Sequence, residues 1–303
     1  MTKADKVNWP QKTRELVHNH FDSAIWDEFA FRDDDIIITS YAKSGTTWLQ
    51  QIVAQLIFQG EEGLNVADMS PWLDFRLPPK REKLADLEAQ THRRFVKTHL
   101  PVDALRFSPK AKYLYIARDG RDVLWSYYNH HSKHMPQMYE RMAAVCPPDI
   151  EPFAPPQKEV VGYFHEWLAR DGWPIWPYWD NINSWWAVRD LPNVMMLHFS
   201  ALKADLPGQM RKISAFLDIP IDESKWDTIV QHCTFEYMKA NAEQNTPLGG
   251  LMWEGGAKTF INKGTNGRWR DLLSAQECKD YEKLAVAKLG PECAHWLKSG
   301  ELK

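Results

Sequence analysis

The chain has 303 residues, with Lys+Arg 37 set against Asp+Glu 40 and a formal net charge of −3. That balance argues against a general binder of nucleic acid or anionic membranes, so any polyanionic ligand must be captured by cations grouped locally. The length suffices to bury a full core, and one α/β domain over residues 1–303 is the simplest reading.

Cys146, Cys233, Cys278 and Cys293 show no C-x-x-C spacing, which suits a reduced, cytoplasmic compartment better than a disulfide framework. The start has no hydrophobic signal core and no apolar run approaches membrane-spanning length, so a soluble protein without membrane insertion is expected. Fifteen tryptophans are many, several clustering in Trp173–Trp179 and at Trp185 and Trp186. Packing is their default use; lining an acceptor pocket is the alternative.

In chain order, residues 1–32 read as an entry segment with a short amphipathic piece and no assigned chemistry. After Asp33–Asp35, the β-branched run Ile36–Ile38 predicts a buried strand. Trp48, Leu49, Ile52, Val53, Leu56 and Ile57 then recur at helical spacing, with glutamines on the opposite face. Between strand and helix lies a tight loop, Tyr41–Thr47, carrying Lys43, Ser44, Gly45, Thr46 and Thr47. Unpaired N–H groups and the dipole make a helix start attractive to anions. Gly45 lets the backbone approach an oxyanion, Thr46 and Thr47 add hydroxyls, and Lys43 adds charge. The bland alternative is a capped turn with a solvated lysine. The nucleoside-triphosphatase pattern G-x-x-x-x-G-K-[ST] is absent, because Lys43 precedes the loop's only glycine.

Gly60–Pro79 is polar and interrupted by prolines; within it, Pro71–Phe75 is either a surface turn or part of an acceptor wall. Arg94–His99 predicts a short strand, Ala111–Ala117 a stronger one, and Arg118–Asp122 opens a helix in which Val123, Leu124, Tyr127 and Tyr128 share a face. Cys146–Pro156 is too proline-rich for helix or central strand and forms a loop beside the site or a connector. Glu159–Arg170 is helical, Asn193–Phe199 is a strand, and Asp205–Leu217 and Asp222–His232 are capped helices. Ser274–Glu277 is a capping box opening a last helix that Gly290-Pro291 stops. Alternating strands and helices predict a mainly parallel central sheet flanked by helices, whose ligands sit beyond the carboxyl ends of the strands. Lys43, His99 and Arg118 fall at such ends and should meet in one crevice.

Tyr41-Ala-Lys-Ser-Gly-Thr-Thr-Trp48 resembles the phosphosulfate-binding loop of the cytosolic, PAPS-dependent sulfotransferases, with Ala42 in place of a usual proline. Lys97-Thr-His-Leu-Pro101 resembles the segment whose histidine is that family's catalytic base. The resemblance thus implies His99 as base, Lys43 as the charge on the bridging oxygen and Lys97 as an assistant to the sulfuryl oxygens. On general grounds a neutral imidazole near pH 7 suits the first role, and preorganised charge the second. Arg118–Tyr128 looks like the 3′-phosphate segment, which implies that Arg118 and Ser126 grip that phosphate; Ser126 is also implied to hold Lys43 back until an acceptor arrives. The unassisted reading of Arg118 is a salt bridge with Asp119 or Asp122.

Trp48 and Phe235 match the pair that sandwiches adenine. Phe199 stands where relatives often have a tyrosine, and Cys233 replaces a usual hydroxyl residue. Asn262-Lys-Gly-Thr-Asn-Gly-Arg-Trp269 resembles the Arg-Lys-Gly-x-x-Gly-Asp-Trp loop, so Asn262, Lys263 and Gly264 are implied phosphate ligands. Asn262 replaces the loop's arginine, which should weaken the grip unless Lys258, Arg268 or Arg270 compensates. The short C-terminal dimerisation motif of some relatives has no clear counterpart, and the oligomeric state stays open.

The expectation is therefore transfer of a sulfuryl group from 3′-phosphoadenosine 5′-phosphosulfate (PAPS) to a hydroxyl or amine of a small, apolar or aromatic acceptor, releasing adenosine 3′,5′-bisphosphate (PAP). No metal is required, and His130–His134 reads as a helix face. The alternatives are a nucleotide or small-molecule kinase, against which the missing Gly-Lys-[Ser/Thr] speaks, and a nucleotide-binding relative that has lost catalysis.

Overall fold

The computed structural model describes residues 7–302. Four strands, β1 (Ile36–Ser40), β2 (Phe95–Thr98), β3 (Lys112–Ala117) and β4 (Val194–His198), form one sheet in the order β2-β1-β3-β4. Every pairing is parallel, with Ile36 opposite both Phe95 and Lys112, and Tyr113 opposite Val194. The helices that matter here are α1 (Thr46–Ile57), α2 (Lys80–Ala89), α3 (Gly120–His131), α4 (Pro136–Ala144), α5 (Val160–Ala169), α6 (Tyr178–Trp186), α7 (Leu206–Phe216), α8 (Trp226–His232) and α9 (Ala275–Ser299).

Both faces of the sheet are buried, as the near-continuous apolar strands require. Ile36, Ile38, Phe95, Leu114, Ile116 and Leu197 point into a mostly aliphatic layer with α1, α7 and α8. Ile37, Val96, Tyr113, Tyr115 and Val194 point the other way, into an aromatic layer. There Trp26, Trp167, Trp176, Trp185 and Trp296 are all buried. These five tryptophans thus serve packing.

Three expectations need correction. The glutamines of α1 do not face solvent: Gln50, Gln51 and Gln55 are buried, and their amides donate to the carbonyls of Ser70, His232 and Glu61. A helix wedged between sheet and loops has no wet face, and loop carbonyls left unpaired by secondary structure need donors. Gly290-Pro291 does not end α9. Gly290 breaks the helical path at φ 76°, ψ 163°, and Pro291, tolerated in a first helical turn, starts a second segment. That segment buries Cys293, Trp296 and Leu297. Asp222–His232 divides into a 3₁₀ turn, Glu223–Lys225, capped by Asp222, and α8. Cys146–Pro156 is irregular, as expected, and anchors through Phe153, stacked on His131 at 4.4 Å. All four cysteines are free thiols, and no helix among the described residues is long and apolar enough to cross a membrane.

Parallel pairing sends all four carboxyl ends in one direction. Because β1 lies between β2 and β3, the chain leaves it to one side and returns on the other, opening a crevice beyond its end. The residues that follow the strands are the loop 41–45, His99, Arg118 and Phe199.

Candidate active site

These four strand ends border one cavity of about 1340 Å³. Around it stand His99, Lys43, Lys97, Gly45, Thr46, Thr47, Trp48, Arg118, Ser126, Phe199, Phe235, Asn262, Lys263 and Gly264. Ser44 alone of the sequence-predicted residues is not on the wall: it is buried, and its N–H donates to Tyr41 O at 3.3 Å.

The loop after β1 is shaped by two residues with positive φ, Lys43 at 65° and Gly45 at 114°. At Gly45 a Cβ would lie 2.9 Å from Phe199 Cδ2 and 3.0 Å from Ile116 Cδ1, so only glycine fits. The loop's bend brings Thr46 and Thr47, the first residues of α1, to the cavity wall, and Thr46 Oγ1 is tied to Ser40 Oγ at 2.6 Å. Burial and the like charges of Arg118 and Lys97 lower the Lys43 ammonium to about 7. Lys43 Nζ makes no hydrogen bond to Ser126. Its Nζ is 3.2 Å from His130 Nδ1 and 4.7 Å from the centre of the Phe260 ring, a correction to the resemblance: a bare hydroxyl competes poorly with an imidazole nitrogen backed by an aromatic face.

His99 is buried in an aromatic box, stacked on Trp176 at 5.2 Å and met edge-on by Trp72 at 4.7 Å. Its Nδ1–H donates to Ser40 O at 2.7 Å. That bond fixes the tautomer and leaves Nε2 as a lone-pair acceptor. Burial, with repulsion from Lys97 and Lys43, takes its pKa down to about 3, so the ring is neutral at pH 7. Asn181 Nδ2–H donates to His99 O at 2.8 Å and itself accepts from Tyr115 OH at 3.1 Å, holding the strand end still.

Arg118 is buried, yet it does not pair with either neighbouring carboxylate. Asp119 is committed to Arg121 at 2.6 Å, and Asp122 accepts from Gly267 N–H at 2.7 Å. Instead the guanidinium lies 4.3 Å from the Phe199 ring centre and donates to Asn266 Oδ1, Lys43 O and Thr265 O. Loss of water lowers its pKa to about 10, still fully charged at pH 7. A buried cation held by neutral groups is a site built for an anion. Gly264, at φ 60°, packs on Phe235: a Cβ there would come within 2.7 Å of Phe235 Cδ2. Trp48 is anchored by Nε1–H to Cys233 O at 2.7 Å. Among the candidates to offset Asn262, only Arg268 lines the cavity; Lys258 and Arg270 do not, whereas Lys203 does.

The profile of the family described as "Sulfotransferase domain" matches residues 33–290. The chain belongs to the sulfotransferase family. It is 32% identical over 275 residues to sulfotransferase 1B1 of Mus musculus, covering 87% of this chain and 85% of that one. It is 29% identical over 308 residues, 92% of each chain, to a glycolipid sulfotransferase of Mycobacterium bovis BCG. In fold it is similar to mouse sulfotransferase SULT7A1 complexed with PAP, at TM-score 0.69 and 22% identity over 91% of this chain and 92% of that one. Retinol dehydratase in complex with androsterone and PAP is also similar, at TM-score 0.66 and 24% identity over 88% and 83%. This sulfotransferase is an α/β enzyme with a four-stranded parallel sheet.

Much of the other end of the cavity escaped sequence reasoning. His20 comes from the entry segment that carried no assigned chemistry, and Trp176 from the packing cluster. Leu77 and Pro78 precede α2; Met138, Arg141 and Val145 come from α4 and its end; Leu248, Met252 and Trp253 come from a glycine-rich turn. Pro71–Phe75 is wall rather than surface turn: Trp72 and Phe75 stack at 4.7 Å and line the cavity. Asp74 holds them there. Buried, it accepts from Trp26 Nε1–H at 2.9 Å and also from Trp72 Nε1–H and Thr98 Oγ1–H. Of the helix face expected at His130–His134, His130 and His131 lie on α3 and His134 follows it; His130 and His134 both line the cavity, and His134 is buried. Among the described residues no group of three or more His, Cys, Asp or Glu is arranged to hold a metal.

Proposed function

We propose that this enzyme moves the sulfuryl group of PAPS to a hydroxyl or amine of an apolar or aromatic acceptor, with His99 as general base. The observation that carries the reading is one shared cavity with two unlike ends. Lys43, Arg118, Ser126, Lys263 and the first residues of α1 give its wall a cationic, hydroxyl-bearing part; Trp72, Phe75, Trp176 and Met252 give it an apolar part; His99 lines it packed on Trp72 and Trp176. At about 1340 Å³ it exceeds the roughly 300–1,000 Å³ of a single-ligand pocket, which suits two substrates together.

The fit to a bisphosphorylated adenylate rests on this chain's own groups. Arg118, Ser126 and the Asn262–Gly264 turn would hold the 3′-phosphate, with Arg268 or Lys203 offsetting Asn262. The loop 43–47 would hold the 5′ end, and Trp48, Phe199 and Phe235 would enclose the base. His99 Nε2 takes the acceptor's O–H or N–H proton as the acceptor atom bonds to sulfur. The bridging S–O bond breaks, and Lys43, with Lys97 beside the sulfuryl oxygens, meets the charge left on the phosphate. PAP and the sulfated acceptor leave, and the imidazolium returns its proton to water.

Incubation with PAPS labelled in its sulfuryl group and a simple phenol tests the reading: label appears on the phenol, and His99→Asn does not transfer it. Stabilisation by ADP with Mg²⁺ but not by PAP in thermal-shift titration would instead favour a kinase.

A further inference from the structure

Lys43 has a partner that the transfer step does not use. Its Nζ contacts His130 Nδ1 at 3.2 Å beneath the Phe260 ring. His130 is itself clamped, with ring centres 4.7 Å from His134, 5.0 Å from Trp253 and 5.5 Å from Phe260. This socket belongs to α3, the turn after it and the 253–260 segment, all separate from the strand–loop cradle. We propose that His130 is a positioning residue that parks the Lys43 ammonium in this socket in the free enzyme and releases it when the donor's 5′-phosphate occupies the loop; the proposal rests on the PAPS reading.

The two contacts compete for one ammonium. A neutral imidazole nitrogen accepts from it and favours its charged form; a phosphate oxygen is a charged and therefore stronger acceptor. The parking contact thus opposes donor binding, and only while Lys43 carries its proton. Lys43 faces Arg118 just after β3, Lys97 and His99 at the end of β2, and His130 and His134 from α3 and the turn after it; His130 faces Lys43, His131 and His134 with His20 from the entry segment. Burial holds His20, His130, His131 and His134 below the ordinary histidine range, so above pH 6 the groups of this cluster that titrate are Lys43, at about 7, and Lys97, at about 8, the second present alike in wild type and His130 variants.

The linkage has an unusual signature. Without His130 the parked state loses its stabilisation, so at low pH the donor binds more tightly. At high pH the free lysine is neutral in either protein, no parked contact exists, and affinities converge. Calorimetric titration of PAP into the full chain from pH 6 to 8.5 reads this directly. His130→Phe and His130→Leu should each bind PAP about fivefold more tightly than wild type at pH 6, with no difference above pH 8. Their affinity should begin to fall about one pH unit lower. His130→Asn, whose Oδ1 replaces Nδ1 as acceptor, should return toward wild type. Folded Phe or Leu variants that bind more weakly at every pH, or equally at pH 6, would overturn the parking role. A wild type that binds no PAP at any pH would overturn the donor reading and this proposal with it, a result distinguishable from the former.

Discussion

The two ends of the cavity are built differently. The cationic end is made of short segments at the ends of strands, together with one glycine-bearing turn, and each carries its chemistry within three to nine consecutive residues: Lys43–Trp48, Lys97–His99, Arg118–Ser126 and Asn262–Gly264. The aromatic end draws single side chains from the entry segment, the 71–78 loop, α2, α4, Trp176 and the 247–253 turn. Anion binding needs backbone amides and charges at fixed angles, which a strand–loop–helix supplies locally. An apolar wall needs only area, and area can be assembled from anywhere in the chain.

The sharpest test of that division sits at the boundary. His99→Asn should lower transfer by about 10²–10⁴-fold while leaving the affinity for PAP within twofold; retained turnover would move the base elsewhere. Next, replacing Arg118 and Lys263 together with Met should weaken PAP binding by on the order of 10²-fold, from two lost charge-assisted contacts. The KM for a saturating phenol should barely move, and an unchanged donor affinity would contradict the placement of the phosphate.

Acid should separate the two ends by stability. His18, His99, His131 and His134 are held to about 3–4 by burial. Folded pKa values below the unfolded 6.5 mean that stability is full above 6.5 and falls as pH drops toward 4. Each costs on the order of 2 kcal/mol at pH 5. Melting temperature should therefore drop steeply between pH 6.5 and 5, and hydrogen exchange should rise first around Trp176, where His18, His20 and His99 meet, and less around Arg118, beside which His198 is held to about 4. A flat melting temperature over that range would show these rings to be solvated.

Two smaller effects sharpen the contrast. Trp72→Ala should raise the acceptor KM about fivefold, by loss of wall area and of the edge contact on His99, without altering PAP affinity. Lys258→Ala should leave PAP affinity within twofold, whereas Arg268→Ala should weaken it several-fold. The reverse order would reassign the cation that offsets Asn262.

The sequence by itself determined the parallel sheet, because β-branched runs such as Ile36–Ile38 and strand–helix alternation state a buried strand locally. It also named the charged end, since the glycine, lysine and hydroxyls of residues 43–47 are functional only as neighbours in the chain. The glutamines of α1 misled because a polar side chain on a helix reads as solvent-facing until the loop carbonyls it serves are in place. Gly290-Pro291 misled because a break and a stop look alike until the segment beyond has something to pack on. Tertiary structure alone decided that Lys43 meets His130, that Asp74 pins Trp72, and that His20 reaches the cavity. Those contacts, the last of them His20 on Trp72, join residues 87, 2 and 52 positions apart. The near pair, like the far ones, is fixed by packing on the aromatic layer, which no local pattern encodes.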